Sequence, residues 1–182
     1  MKKFFTLMAS SMFGLALIFT ARGQAPSGPE TKVELKRVHM CCEGCSDEVE
    51  KILKKVTGVK SVAVDQEKNV ARFVAPDVKT AQKAIDTLAA AGFHGDSGTD
   101  KYSFKEDSGA KVGKVKSLTL TAFHNSCGGC VQSCREAIKD VPGITGDNLK
   151  PKVTTCEIRG DFDPVQLVQA LNKAGLHAKV KN

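Results

Sequence analysis

The chain has 182 residues, of which 41% are hydrophobic, 26% charged and 5% aromatic, with no Trp and seven Cys. Its length accommodates one ordinary domain or two small ones, and Leu, Ile, Val and Phe recurring among many charges exclude both a polytopic membrane protein and a mostly disordered chain. The net charge of +7 raises nucleic acid as a partner, and an odd number of cysteines cannot all pair within one chain.

Lys2 and Lys3 precede an uncharged apolar run from Phe4 to Thr20, and Ala21-Arg22-Gly23 then places small residues at the −3 and −1 positions of a cleavage site. This is the plan of a secretory signal peptide over residues 1–23. The competing plan is a retained anchor helix, for which the run is at the lower limit of length. No Cys adjoins the junction, so no lipid anchor is expected, and no later segment is apolar enough to insert in a membrane. Cleavage removes Lys2, Lys3 and Arg22 and no acidic residue, which lowers the net charge to +4. The remaining Lys are spread along the chain with almost no aromatic residues between them for base stacking, so nucleic acid drops out as a partner.

A short linker, 24–31, leads into the first strand, where Val33 and Leu35 alternate with Glu34 and Lys36. After a cysteine-bearing turn, Val49, Ile52, Leu53 and Val56 follow helical spacing up to the stop at Gly58. Strands at Ser61 to Asp65 and Val70 to Ala75 come next. A second helix then runs from Val78 to Ala90, with Ala81, Ala84, Ile85 and Leu88 facing inward. Residues 98–115 are rich in Gly, Ser, Asp and Lys and read as a flexible linker with a weak strand at Tyr102 to Lys105. The order then begins again. Leu118, Leu120 and Ala122 alternate in a strand, and a second cysteine turn precedes a helix carrying Cys134, Ala137, Ile138 and Val141, stopped at Gly143. Strands at Gly146 to Lys150 and Val153 to Arg159 follow. A helix opens at Asp163-Pro164 with Leu167, Val168 and Leu171 inward, and Ala178 to Lys181 is a last strand.

The recurrence is a duplication. At a shift of 85 residues His39-Met40-Cys41-Cys42-Glu43-Gly44-Cys45 lies over His124-Asn125-Ser126-Cys127-Gly128-Gly129-Cys130, and Val56-Thr57-Gly58-Val59 over Val141-Pro142-Gly143-Ile144. After a two-residue deletion Leu88 to His94 lies over Leu171 to His177. The expected class is α+β, with two tandem ferredoxin-like βαββαβ sandwiches, at 32–97 and 116–182. Each has a four-stranded antiparallel sheet with both helices on one face.

Cys42-x-x-Cys45 and Cys127-x-x-Cys130 fall where a strand ends and a helix begins. Free backbone N–H groups and the positive end of the helix dipole lower thiol pKa values at such a place. Two thiolates at this spacing can converge on one soft ion, of the kind Cu(I), Ag(I), Hg(II) or Zn(II) represent. Cys134 takes the inward place of Val49, and Cys156 shares a strand face with Ile158, so both are expected in the core. Cys41 stands open between a third thiolate ligand and an outward-pointing side chain. His39 and His124 recur before the motifs, and His94 and His177 after the second helices. Each is weighed as a ligand or as support for one, against an ordinary surface histidine.

Met40-x-Cys42-x-x-Cys45, its following helix and Gly92-Phe93 resemble the heavy-metal-associated (HMA) domain. That family includes copper chaperones, metal-binding domains of copper-transporting P-type ATPases and the periplasmic mercury-binding protein. The resemblance implies one soft ion per CxxC, held by Cys42 and Cys45 in the first unit and by Cys127 and Cys130 in the second, and passed to a partner by ligand exchange. It implies that Met40 packs beneath its loop, and that the loops carrying His94 and His177 lie near the metal. The second unit departs from the pattern: Asn125 replaces the Met, and Gly128-Gly129 between its cysteines makes a floppier loop.

The expected function is an exported, secreted or periplasmic soft-metal carrier, Cu(I) before other ions, that buffers or delivers its cargo as a monomer and is no enzyme. Its partners would be metal-donor or metal-acceptor proteins such as a metal transporter. Without a transmembrane bundle or an Asp-Lys-Thr-Gly motif it does not read as a pump. Two other classes compete. A thiol–disulfide oxidoreductase would suit an oxidising compartment, but the βαβ crossover of thioredoxin-like folds is absent from the predicted order. The second unit alone would otherwise be a metal-free interaction module.

Overall fold

A computed structural model describes residues 29–181. The predicted signal peptide, 1–23, and most of the linker that follows it lie outside the described residues. Among the described residues no helix is long and apolar enough to cross a membrane.

The first unit comprises β1 (Thr31–Leu35), α1 (Glu43–Lys55), β2 (Lys60–Asp65), β3 (Val70–Ala75) and α2 (Val78–Ala90). Its antiparallel sheet has the order β1-β3-β2, with Val33 opposite Phe73 and Leu35 opposite Ala71. These four side chains are buried together with Val49 and Leu53 of α1 and Ala81, Ala84, Ile85 and Leu88 of α2. The period-2 and period-3.6 apolar patterns thus meet in one layer between sheet and helices.

The second unit comprises β4 (Val115–Thr121), α3 (Gly128–Ile138), β5 (Ile144–Asp147), β6 (Thr155–Phe162), α4 (Pro164–Lys173) and β7 (Lys179–Lys181). Its sheet order, β5-β6-β4-β7, is that of the ferredoxin-like sandwich. Leu120, Cys156, Ile158 and Phe162 pack against Cys134 and Ile138 of α3 and Leu167 and Leu171 of α4. Cys134 and Cys156 are therefore core thiols, and burial pushes both pKa values up to about 12.

Three details depart from the sequence expectations. The fourth strand expected in the first unit is reduced to one bridge, Lys36 opposite Asp96. The chain just before it is diverted to pair Phe93 with Leu176 of the second unit. β5 begins and ends earlier than predicted, because Asp147 and Asn148 turn their side chains onto the backbone N–H groups of Leu149 and Glu157.

The third detail concerns the segment read as a linker, which packs closely. Tyr102 and Phe104 are buried in the first unit's core. The Tyr102 hydroxyl donates to the Lys32 carbonyl (3.1 Å). No strand forms at Tyr102 to Lys105. The Gln82 side-chain amide instead stands in for a neighbouring strand, donating to the Ser103 carbonyl (2.8 Å) and accepting from the Ser103 N–H (3.0 Å). Further along, the Ser108 carbonyl accepts from the Val180 N–H (2.7 Å), which ties the same segment to the second unit.

Candidate metal centre

The helices bearing the cysteines start differently from their neighbours. α2 and α4 are capped by Asp77 and Asp163, whose carboxylates accept from the N–H groups of Thr80 and Val165. α1 and α3 have Cys42 and Cys127 at the capping position, each in extended backbone with no side-chain cap bond. A thiol is a weak acceptor, so neither cysteine caps its helix as an aspartate does, and each sulfur stays available to a ligand.

A reciprocal clasp brings the two starts together. The Gly175 carbonyl accepts from the N–H groups of His39 (3.3 Å) and His94 (2.8 Å), both of the first unit. In return, the Gly92 carbonyl accepts from His124 (3.4 Å) and His177 (2.9 Å) of the second. The four repeated histidines thus supply the backbone N–H donors of this clasp, and Gly92-Phe93-His94 and Gly175-Leu176-His177 meet as equivalent pieces of the duplicated unit. Phe93 stacks on the His124 ring with centroids 4.2 Å apart.

Five thiols converge at one end of this interface. Cys42 Sγ lies 3.5 Å from Cys45 Sγ, and Cys127 Sγ 3.6 Å from Cys130 Sγ. Across the units, Cys45 and Cys130 are 3.7 Å apart, as are Cys42 and Cys127. Cys41, left open by the sequence, stands between them at 3.6 Å from Cys45, 3.8 Å from Cys127 and 3.7 Å from Cys130. Cys45 and Cys130 are buried, Cys42 and Cys127 half-buried, and Cys41 is exposed, so the cluster opens to solvent on its Cys41 side.

Around the sulfurs, His124 Nε2 lies 3.3 Å from Cys45 Sγ and 3.1 Å from Ser126 Oγ. His39, 6% exposed, has no hydrogen-bond partner for its Nε2 among the described residues. Met40 is buried in the first unit's core. Asn125 does not face the metal side: its amide donates to the carbonyls of Lys150 (2.6 Å) and Val153 (3.0 Å) and so holds its loop in place. Gly129 also acquires a packing reason, since a Cβ there would sit 3.0 Å from Cys41 Sγ.

The electrostatics follow from the geometry. Cys130 is held far below the usual thiol range, first by the Cys45 thiol and then by His124, His39 and Ser126, against the opposing effect of burial. Cys42 is lowered by the Cys45 backbone N–H and thiol. Cys45 is pushed up by its neighbour Cys130 and by burial, and Cys41 chiefly by burial. Thiolate charge is favoured at one sulfur of each motif, and the rest act as donors until a cation replaces their protons.

His94 and His177 lie outside the groups that converge on the thiols. Their rings stack nearly parallel, 6.1 Å apart, with Phe104 stacked on His94 at 4.7 Å and Asp107 Oδ1 3.0 Å from His177 Nε2. Burial, then the neighbouring His177 and Arg37, lowers the His94 pKa to about 4, with Asp96 opposing. The folded chain therefore prefers the neutral ring. Its contribution is complete above pH 6.5 and disappears as pH falls toward 4, up to about 3 kcal/mol. Urea unfolding at pH 7 and pH 4.5 should show that loss, and His94→Phe, which keeps an aromatic ring against Phe104, should shrink it. An equal loss in both proteins would rule His94 out as its source.

Comparison with known proteins gives the following. Residues 36–94 match the heavy-metal-associated domain. The chain is 25% identical over 156 residues, 79% of its length, to heavy metal-associated isoprenylated plant protein 8 of Arabidopsis thaliana. It is 39% identical over 46 residues, 25% of its length, to isoprenylated plant protein 5 of the same organism. It spans 61% of the length of the first and 12% of the second. Among solved structures, the N-terminal domain of PacS from Synechocystis PCC6803 aligns in full with 37% of this chain, at 25% identity and TM-score 0.34. The N-terminal soluble domains of Bacillus subtilis CopA align over 95% of their length with 84% of this chain, at 15% identity and TM-score 0.31.

Proposed function

We propose that this chain, whose residues 36–94 match the heavy-metal-associated domain, is an exported carrier of a soft metal ion, Cu(I) before Ag(I), Hg(II) or Zn(II). It buffers the ion or hands it to an acceptor such as a metal transporter, and catalyses no reaction. The observation that carries this reading is the convergence of Cys41, Cys42, Cys45, Cys127 and Cys130 within 3.5–3.8 Å of their neighbours at two uncapped helix starts. Soft thiolates select soft cations, and the two helix N-termini offset part of the negative charge that gathers there. The exposed Cys41 side gives a partner's thiolate a route to attack a bound ion and take it over by exchange. Lys2 and Lys3 before the apolar run from Phe4 to Thr20, with Ala21-Arg22-Gly23 after it, support export from the cytoplasm.

Competition with a chromophoric Cu(I) chelator tests the reading on the reduced chain. The protein should withdraw Cu(I) from the chelator, and the double change Cys45→Ser, Cys130→Ser should abolish the withdrawal. No withdrawal by the unaltered chain would sink the proposal, and rapid catalytic reduction of insulin would replace it with the oxidoreductase. For export, mass spectrometry of the secreted or periplasmic fraction should find a chain beginning near Gln24.

A further inference from the structure

We propose that the two CxxC motifs build one shared centre for two ions, bridged by the Cys41 thiolate. One ion would be held by His39, Cys41, Cys45 and Cys130, the other by Cys41, Cys42 and Cys127. This rests on the soft-metal reading above, but replaces one ion per domain with two ions held jointly.

Two sets of donor atoms carry the proposal. A ring nitrogen of His39 and the sulfurs of Cys41, Cys45 and Cys130 all lie within 4.8 Å of one another, as do the sulfurs of Cys41, Cys42 and Cys127. Cys41 is the member common to both, and a thiolate sulfur has lone pairs enough to bind two soft ions at once. Each set draws on both units, so neither is complete within one domain.

Spacing sets the coordination. With metal–sulfur bonds of about 2.3 Å, ligand sulfurs stand roughly 3.8 Å apart around a tetrahedral ion, roughly 4.0 Å around a trigonal one and roughly 4.6 Å around a linear one. In the first set Cys41, Cys45 and Cys130 have sulfurs 3.6–3.7 Å apart, and in the second Cys127 lies 3.7 Å from Cys42 and 3.8 Å from Cys41, spacings that fit three or four ligands per ion and not two in line.

Two further observations point to a ligand. His39 Nε2 is buried and, among the described residues, without a partner, an arrangement that is unfavourable unless something occupies it. The absence of a side chain at Gly129 leaves room for the Cys41 sulfur to reach Cys127 and Cys130. His124 is a positioning residue. Its Nε2 touches Cys45 Sγ and Ser126 Oγ, and its ring is fixed by Phe93.

Both ions enter and leave as Cu(I). Metal–sulfur bonds replace S–H bonds, the protons pass to solvent, and no electron is transferred.

The test uses the reduced full chain titrated with Cu(I) under chelator control, read by native mass spectrometry and X-ray absorption. The expected result is two ions per monomer, filled in one cooperative step, with a metal–metal vector in the absorption spectrum. Cys41→Ser, which leaves both CxxC motifs intact, should lower the content from two ions to one and remove the metal–metal vector. His39→Ala should keep the second ion and weaken the first by about tenfold to a hundredfold. Circular dichroism identifies any variant that fails to fold, and the metal–metal vector of the unaltered chain stands independently of the variants. Two ions without that vector, or two ions retained in folded Cys41→Ser, would overturn the shared centre and leave the carrier standing as two separate sites. One ion per unaltered chain would overturn it as well. No binding at all would remove both readings.

Discussion

Replacing Gly175 by alanine separates the two halves of the molecule without touching a cysteine. Gly175 has φ +78, a left-handed conformation that costs an alanine about 1–2 kcal/mol. The larger effect is steric. A Cβ there would lie 2.2 Å from the Arg37 carbonyl oxygen and 2.5 Å from the His39 nitrogen, backbone atoms of the other unit that no rotamer change can move aside. Gly92 is its counterpart, with φ +87 and a Cβ position 2.0 Å from the His124 nitrogen. Either alanine should therefore open the clasp while each sandwich stays folded on its own core. The measurement is thiol labelling together with small-angle scattering. Cys45 and Cys130 should label at least about tenfold faster, as their mutual shielding is lost, and the radius of gyration should rise. Cys134 and Cys156, shielded inside the second sandwich, should stay unreactive. Unchanged labelling of Cys45 would show that the interface glycines are not what closes the site.

The second large effect belongs to Phe93. It is fully buried, belongs to the first unit's core, pairs its backbone with Leu176 and stacks on His124. Phe93→Ala should cost about 3–5 kcal/mol of unfolding free energy in urea, from lost burial and the cavity left behind. Phe93→Leu has a precedent in the molecule itself, since Leu176 fills the equivalent place in the second unit. It should lose less than about 1.5 kcal/mol. Because only the aromatic ring holds the His124 imidazole by stacking, the leucine variant should still weaken Cu(I) binding, by about tenfold. A leucine variant with unchanged copper affinity would show that the ring serves the core alone.

These two residues also mark where sequence reasoning stopped. The Gly92-Phe93-His94 block was legible as a repeat, because a duplicated unit preserves its helix stops and apolar positions whatever they touch. Nothing in the periodicity says that the block faces its own copy. The same holds for the histidines. Their recurrence before and after each motif was visible, but the part they play comes from backbone N–H groups directed across the interface, and any residue other than proline carries such a group. Cys41 could not be assigned from one unit alone, because its nearest sulfurs outside its own turn belong to residues 127 and 130. The linker misled for a different reason. Its Gly, Ser and Lys content outweighed two aromatic residues, Tyr102 and Phe104, that find room in a core built by distant strands.

By itself the sequence determined the duplication, the βαββαβ order, the inward faces of all four helices and the placing of each cysteine pair at a helix start. Those features are local, set by side-chain period, capping and glycine stops within a few residues. Only the tertiary structure decided that the two pairs share one site. That outcome depends on two sandwiches docking through Gly92 and Gly175. The close approach is permitted by the absence of two β-carbons, and it brings five sulfurs from positions up to 89 residues apart into van der Waals contact.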